Sequence, residues 1–127
     1  MSESEQIIED FNSILYDLCL KIGNIVPDSI VGQNINTVEK LFNDKNNKNK
    51  FIDFFTLNVL QYKTYIDAED DKFFLEKDFS EYKNVASKIF DFKSLWLKLS
   101  DENKKMLIMH LKILCELSQN YFLLVDK

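Results

Sequence analysis

Glycine and proline, the residues that most often interrupt regular secondary structure, are almost absent from this chain. Its 127 residues contain two glycines and one proline. This scarcity argues against disordered, collagen-like and turn-rich β proteins, which all use more of them. Hydrophobic residues make up 46% of the chain, enough to build a core without disulfides or a metal. The composition therefore predicts an all-α protein that folds as one domain over residues 1–127.

The start of the chain carries the clearest helix signal. Ser2 and Glu5 have the spacing of a capping box, in which each side chain bonds a backbone amide that the first turn leaves open. Apolar residues then recur at three- and four-residue intervals, which is typical of an amphipathic helix. Gly23 is placed to end this helix, and Pro27 disfavours a helical residue before it.

Similar periods continue along the chain and predict a bundle of five or six helices. Residues 72–80 lack a clean period, so we expect an irregular segment there that is held to the bundle by its aromatic side chains. The run 45–50, rich in Lys and Asn, predicts a polar connector. The other helical segments are residues 31–42, 51–66, 81–90, 92–99 and 101–124. For the first of these, Asn36 and Glu39 offer an alternative start near residue 36.

The last predicted helix, residues 101–124, is apolar around most of its circumference. Ser100 precedes it as a capping residue. Only a narrow polar strip remains on it, made of Lys105, Lys112, Glu116 and Gln119. A helix of this kind is expected to be largely buried in the bundle, or to have one face covered by a partner.

Five large apolar residues are candidates for binding a partner: Phe73, Phe74, Leu75, Phe79 and Trp96. Aromatic anchors of this type dominate the energetics of protein interfaces. The alternative for each of them is packing in the protein's own core. We therefore expect a protein partner or self-association, through this segment or through the last helix.

No pattern in the sequence predicts a catalytic residue, a metal site or a cofactor. His110 is the only histidine, and a zinc site needs three or four clustered ligands. Cys19 and Cys115 lie among apolar residues, which is typical of inert, reduced thiols. The acidic run 67–71 fails as a calcium loop, because Lys72 stands where such loops need glycine. We expect a protein that is not an enzyme; catalysis by a thiol or by His110 is the weaker alternative.

The charge of the chain argues against nucleic acid as the main partner. All sixteen basic residues are lysine, and the net charge is −5. Nucleic-acid-binding proteins are usually basic and use arginine to contact bases and phosphates. The alternative is an accessory factor that binds phosphates without sequence preference through Lys45, Lys48, Lys50 and the lysines of residues 83–112.

Neither a secretory signal nor a run long enough to span a membrane is visible in the sequence. With the two cysteines interpreted as reduced, the chain is predicted to be intracellular and to have no membrane partner.

Two stretches of the C-terminal half carry a resemblance to a known group of proteins. They are FFLEKDFSEY at residues 73–82 and FDFKSLWLKLSDENKKMLIMHLKIL at residues 90–114. These stretches resemble small helical proteins of nucleocytoplasmic large DNA viruses, and the Lys- and Asn-rich composition fits an AT-rich genome of that kind. The resemblance implies a virus-encoded product in the host cytoplasm or in the virion, and implies no reaction. The sequence thus predicts a non-catalytic helical interaction or scaffold protein.

Overall fold

The computed structural model of the protein describes residues 2–77 and 92–125. This part of the chain is built from helices and contains no strand, so the predicted all-α bundle is confirmed. Two 3₁₀ turns, Lys45–Asn47 and Leu60–Tyr62, flank the fourth helix. The described α-helices are α1 (Glu3–Ile25), α2 (Ile30–Gln33), α3 (Ile35–Phe42), α4 (Lys50–Asn58), α5 (Lys63–Asp67), α6 (Asp71–Glu76), α7 (Phe92–Trp96) and α8 (Asp101–Val125).

The first helix begins as predicted but runs further. The Ser2 hydroxyl accepts a hydrogen bond from the Glu5 amide at 3.2 Å, which confirms the N-cap. The prediction that Gly23 ends the helix is wrong, because α1 continues to Ile25. The last turn of α1 packs against the next two helices, since Gly23 lies beside Gly32 of α2 and Ile35 of α3. The helix ends only before Pro27, whose ring disfavours a helical residue in front of it.

The last helix is the other long element of the bundle, and it packs against α1, α4 and α5. The Ser100 hydroxyl accepts a hydrogen bond from the Asn103 amide at 3.2 Å and caps its first turn. α1 and α8 run antiparallel, because Ile7 lies beside Leu124 while Asp17 contacts His110. The prediction of a largely buried C-terminal helix is confirmed; its buried side consists of Leu107, Ile108, His110, Leu111, Leu114, Cys115, Ser118 and Tyr121.

The middle of the chain contains more and shorter helices than its hydrophobic periodicity predicts. The expected helix over residues 51–66 is split into α4 and α5 by the second 3₁₀ turn. Two polar side chains near the end of α4 bond to their own backbone: Thr56 donates to the Ile52 carbonyl at 2.7 Å, and Asn58 donates to the Phe54 carbonyl at 3.2 Å. Local bonds of this kind compete with regular helix and mark the place where it ends.

Residues 71–76 form a short helix, α6, so the expectation of an irregular segment there is wrong. The Asp70 carboxylate accepts a hydrogen bond from the Lys72 amide at 3.0 Å and starts this helix. The segment 31–42 likewise contains two helices, α2 and α3. The helix predicted over residues 81–90 lies outside the described residues.

Candidate interaction surface

The aromatic residues proposed as partner anchors lie mainly in the core. The Phe74 and Trp96 rings stack at a centroid distance of 4.4 Å, and Trp96 is only 1% exposed. Phe73 is also buried and meets Phe74 edge-on at 5.1 Å. The Lys104 ammonium lies 5.0 Å from the centre of the Trp96 ring. These contacts favour core packing for all three aromatic candidates, because their rings hold α6, α7 and the start of α8 together.

The other two candidates have different positions. Leu75 is partly exposed on α6. Phe79 lies outside the described residues. Phe73 stacks on the half-exposed Tyr65 ring of α5 at 5.5 Å and borders a shallow surface hollow. The ammonium group of Lys77 lies 4.7 Å from the centre of the Tyr62 ring at the same hollow. Leu75 does not line this hollow, so the two exposed residues, Leu75 and Tyr65, do not form one continuous surface there.

A more exposed apolar surface lies on α8, on the side that faces away from α1 and α4. Met109 is 62% exposed and Ile113 is 37% exposed, and the two residues lie one turn apart. Met106 and Leu117 are half-buried at its margin, where they pack against the core. We name this surface the outer face of α8; it consists of Met106, Met109, Ile113 and Leu117, with the exposed Lys105 and Glu116 on one flank.

A polar cross-link joins the middle of α8 to α1. His110 is buried, and its Nε2 lies 3.0 Å from Oδ2 of Asp17, while its Nδ1 lies 2.8 Å from the Met106 carbonyl oxygen. Both groups accept hydrogen bonds, so each ring nitrogen of His110 faces an acceptor of the protein itself. The Asp17 carboxylate is also 2.9 Å from the Lys21 ammonium. His110 therefore acts here as a structural link between two helices.

This cross-link sets the acid–base behaviour of Asp17. The hydrogen bond from His110, followed by that from Lys21, holds the pKa of Asp17 below its ordinary value. A lowered pKa means that the charged carboxylate stabilises the folded protein, and that this contribution is lost as pH falls through the folded-state pKa.

We expect Asp17→Asn to reduce the loss of stability on acidification. The wild type should lose the Asp17 contribution between about pH 5 and pH 2, whereas the variant has no group there to titrate. The carboxylate is half-exposed, so the difference should be about 1 kcal/mol or less. Urea unfolding across this pH range measures it, with Asp10→Asn on the same helix as the control. If the free energy of unfolding fell equally with pH in the wild type and in Asp17→Asn, the stabilising role assigned to the charged Asp17 carboxylate would be contradicted.

The two cysteines and the acidic residues of the segment 67–71 take part in packing, ion pairs and helix capping. Burial raises the pKa of Cys19 and of Cys115 to about 12 in each case, which disfavours the thiolate needed for nucleophilic attack. In the acidic segment, Asp67 pairs with Lys63, Glu69 pairs with Lys112 at 3.3 Å, and Asp70 caps α6. Across residues 2–77 and 92–125, no group of three His, Cys, Asp or Glu side chains is placed to bind a metal.

The lysine-rich connector lies against the first helix. The side chain of Asn12 donates a hydrogen bond to the Lys48 carbonyl at 2.6 Å. Lys45 and Lys48 border a surface hollow together with Glu9 and Asp44. Because two acids line the same hollow as the two lysines, the local charge is mixed rather than strongly positive.

Comparisons with known proteins identify no relative of this chain. No protein-family model, curated protein or solved structure matches the chain. In the described part of the chain, none of the helices has the length and apolar character required to cross a bilayer.

Proposed function

We propose that this protein is a non-catalytic helical interaction or scaffold protein that works through protein–protein contacts. The observation that carries the proposal is the outer face of α8. This face exposes Met109 and Ile113 in the middle of a helix whose opposite side is buried in the bundle. Exposed apolar side chains that lie together on one helix are a common feature of protein-binding surfaces.

The state of the reactive side chains supports a non-catalytic role. The two thiols are buried with raised pKa values, and both nitrogens of His110 bond to groups of the protein itself. A catalytic base or nucleophile needs a free lone pair within reach of a substrate. Both ring nitrogens of His110 are directed at groups of the protein rather than toward a substrate.

The proposed source and place of action rest on the sequence resemblance. A virus-encoded protein of this type would act inside the infected cell, in the host cytoplasm or in the virion. Detection of the protein in purified virions, or in lysate of infected cells, tests this part of the proposal separately from the interaction itself.

We expect the double substitution Met109→Lys and Ile113→Lys to abolish association while leaving the fold intact. Both side chains face solvent, so the lysines can remain hydrated in the isolated protein, whereas a covered interface would bury them without partners. Light scattering of the purified protein and capture experiments from lysate measure association, and circular dichroism checks the fold.

The matched control is Leu57→Lys, which changes a residue that is 75% exposed on α4. It should leave association unchanged. The proposal fails if the wild type shows neither self-association nor a partner, or if the α8 double variant associates as well as the control.

The alternative function is weak binding of nucleic acid by the connector. Lys45, Lys48 and Lys50 are all exposed on this short segment, and lysines can neutralise phosphates without sequence preference. Filter binding at low and moderate salt tests it. Salt-sensitive retention that is lost when the three lysines become glutamine would favour this alternative over a protein partner.

A further inference from the structure

The outer face of α8 has a spacing that is nearly the same in both directions along the helix. Met109 and Ile113 are centred on residue 111, Met106 and Leu117 lie around a point half a residue later, and Lys105 and Glu116 lie around a point half a residue earlier. When such a helix is turned end for end, each of these residues therefore comes within one position, about 1.5 Å along the axis, of its counterpart.

We propose that the outer face of α8 binds the same face of a second copy of this chain, with the two helices antiparallel. This proposal rests on the proposed function and names the partner. In a two-fold interface the contacts are reciprocal. If one residue of the first copy contacts a second residue of the other copy, then that second residue of the first copy contacts the first residue of the other. The nearly symmetric spacing places Met109 of each copy against Ile113 of the other, and Lys105 of each copy within one position of Glu116 of the other.

The charges at the ends of this face fit the antiparallel arrangement. Lys105 and Glu116 lie about 16 Å apart along the helix, too far to pair within one chain. Both are exposed, and neither has an oppositely charged group of the ranges 2–77 and 92–125 at ion-pair distance; Glu116 makes only a weaker electrostatic interaction with Lys63. By contrast, Lys112 on the same flank already pairs with Glu69. The two remaining charges are opposite in sign, so each end of the face complements the opposite end of a second copy.

A parallel arrangement is disfavoured by the same charges. It would bring the two copies of Lys105 together at one end and the two copies of Glu116 together at the other. Like charges placed against each other weaken an interface, and opposite charges select the partner and its orientation. A single pair of helices buries less than the roughly 800 Å² per partner of a standard interface, so we expect a weak dimer that depends on protein concentration.

Charge reversal gives a direct test of this arrangement. We expect Lys105→Glu alone, and Glu116→Lys alone, each to weaken self-association about tenfold or more, because each places like charges opposite one another at both ends. Mixing the two single variants in equal amounts should restore a dimer, since every Lys105–Glu116 contact is then replaced by a pair of opposite sign. The double variant should also dimerise on its own.

Sedimentation equilibrium over a wide range of protein concentration measures these dimers, and circular dichroism confirms that each variant is folded. The control pair is Glu39→Lys and Lys40→Glu, two exposed positions of α3, which should not change the dimer. Because the two critical charges cannot meet within one chain, recovery in the mixture has to come from contacts between copies.

Three results would overturn the inference: a wild type that stays monomeric throughout, single variants that dimerise like the wild type, or a mixture that fails to recover. The proposed function would survive any of them if the Met109→Lys and Ile113→Lys variant lost capture of a different protein. It would fail together with the inference if that variant lost no interaction at all.

Discussion

Replacing Trp96 with alanine is expected to destabilise the protein by about 3–5 kcal/mol. The indole is 1% exposed and stacks on the Phe74 ring at 4.4 Å. Its removal leaves a cavity where α6, α7 and the start of α8 meet, and it also removes the ring beneath the Lys104 ammonium. Water does not compensate for the cavity, because the Phe74 ring that lines it is apolar and loses its contacts.

Urea unfolding followed by circular dichroism measures this effect without depending on the fluorescence of Trp96, the only tryptophan in the chain. The control is Leu97→Ala at the next residue, which is 78% exposed and should change stability by about 0.5 kcal/mol or less. A partner anchor would behave in the opposite way, with little loss of stability and a large loss of binding. Equal stability of the two variants would therefore restore the interpretation of Trp96 as an anchor.

The two long helices could be predicted from the sequence because their signals are local. A capping serine stands at the start of each one, Ser2 for α1 and Ser100 for α8, and both serines make the expected bond. A long apolar period follows each cap. These features depend on residues three or four apart, so the sequence alone contains the information needed to place the starts of both helices.

The middle of the chain could not be predicted in the same detail. The division of the predicted helix after Asn58 depends on side-chain bonds to the backbone, which a hydrophobic period does not contain. The start of α6 depends on the Asp70 cap, which is hidden among other acidic residues of the segment 67–71. In short helices a single cap or side-chain bond decides the boundary.

The candidate surfaces show a different limit of sequence reasoning. Phe74 and Trp96 are large aromatic residues, which occur both as anchors in protein interfaces and as packed side chains in protein cores. Only tertiary packing distinguishes the two roles, and here it places both rings inside. The contact of Asp17 with His110 joins residues far apart in the chain, so no local pattern identifies the two as partners.

Substitution of the two glycines by alanine is expected to change the stability of the protein in opposite directions. An added Cβ at Gly32 would lie 2.5 Å from the Pro27 carbonyl oxygen and 2.8 Å from the Val26 carbonyl oxygen. These are backbone atoms, which cannot rotate away as a side chain could. The Gly32 amide also donates to the Ser29 hydroxyl that caps α2. Gly32→Ala should therefore displace α2 from the turn before it and cost about 3 kcal/mol.

At Gly23 the added Cβ would lie 3.5 Å from a methyl carbon of Ile35, which is an ordinary contact distance. This glycine lies within α1, where alanine is favoured over glycine by up to about 1 kcal/mol. Gly23→Ala should therefore stabilise the protein. Urea unfolding of the two variants and the wild type measures both changes in the free energy of unfolding. If Gly32→Ala were as stable as Gly23→Ala, the close approach of α2 to the Pro27 carbonyl would be wrong, because no rotation of a side chain can relieve that contact.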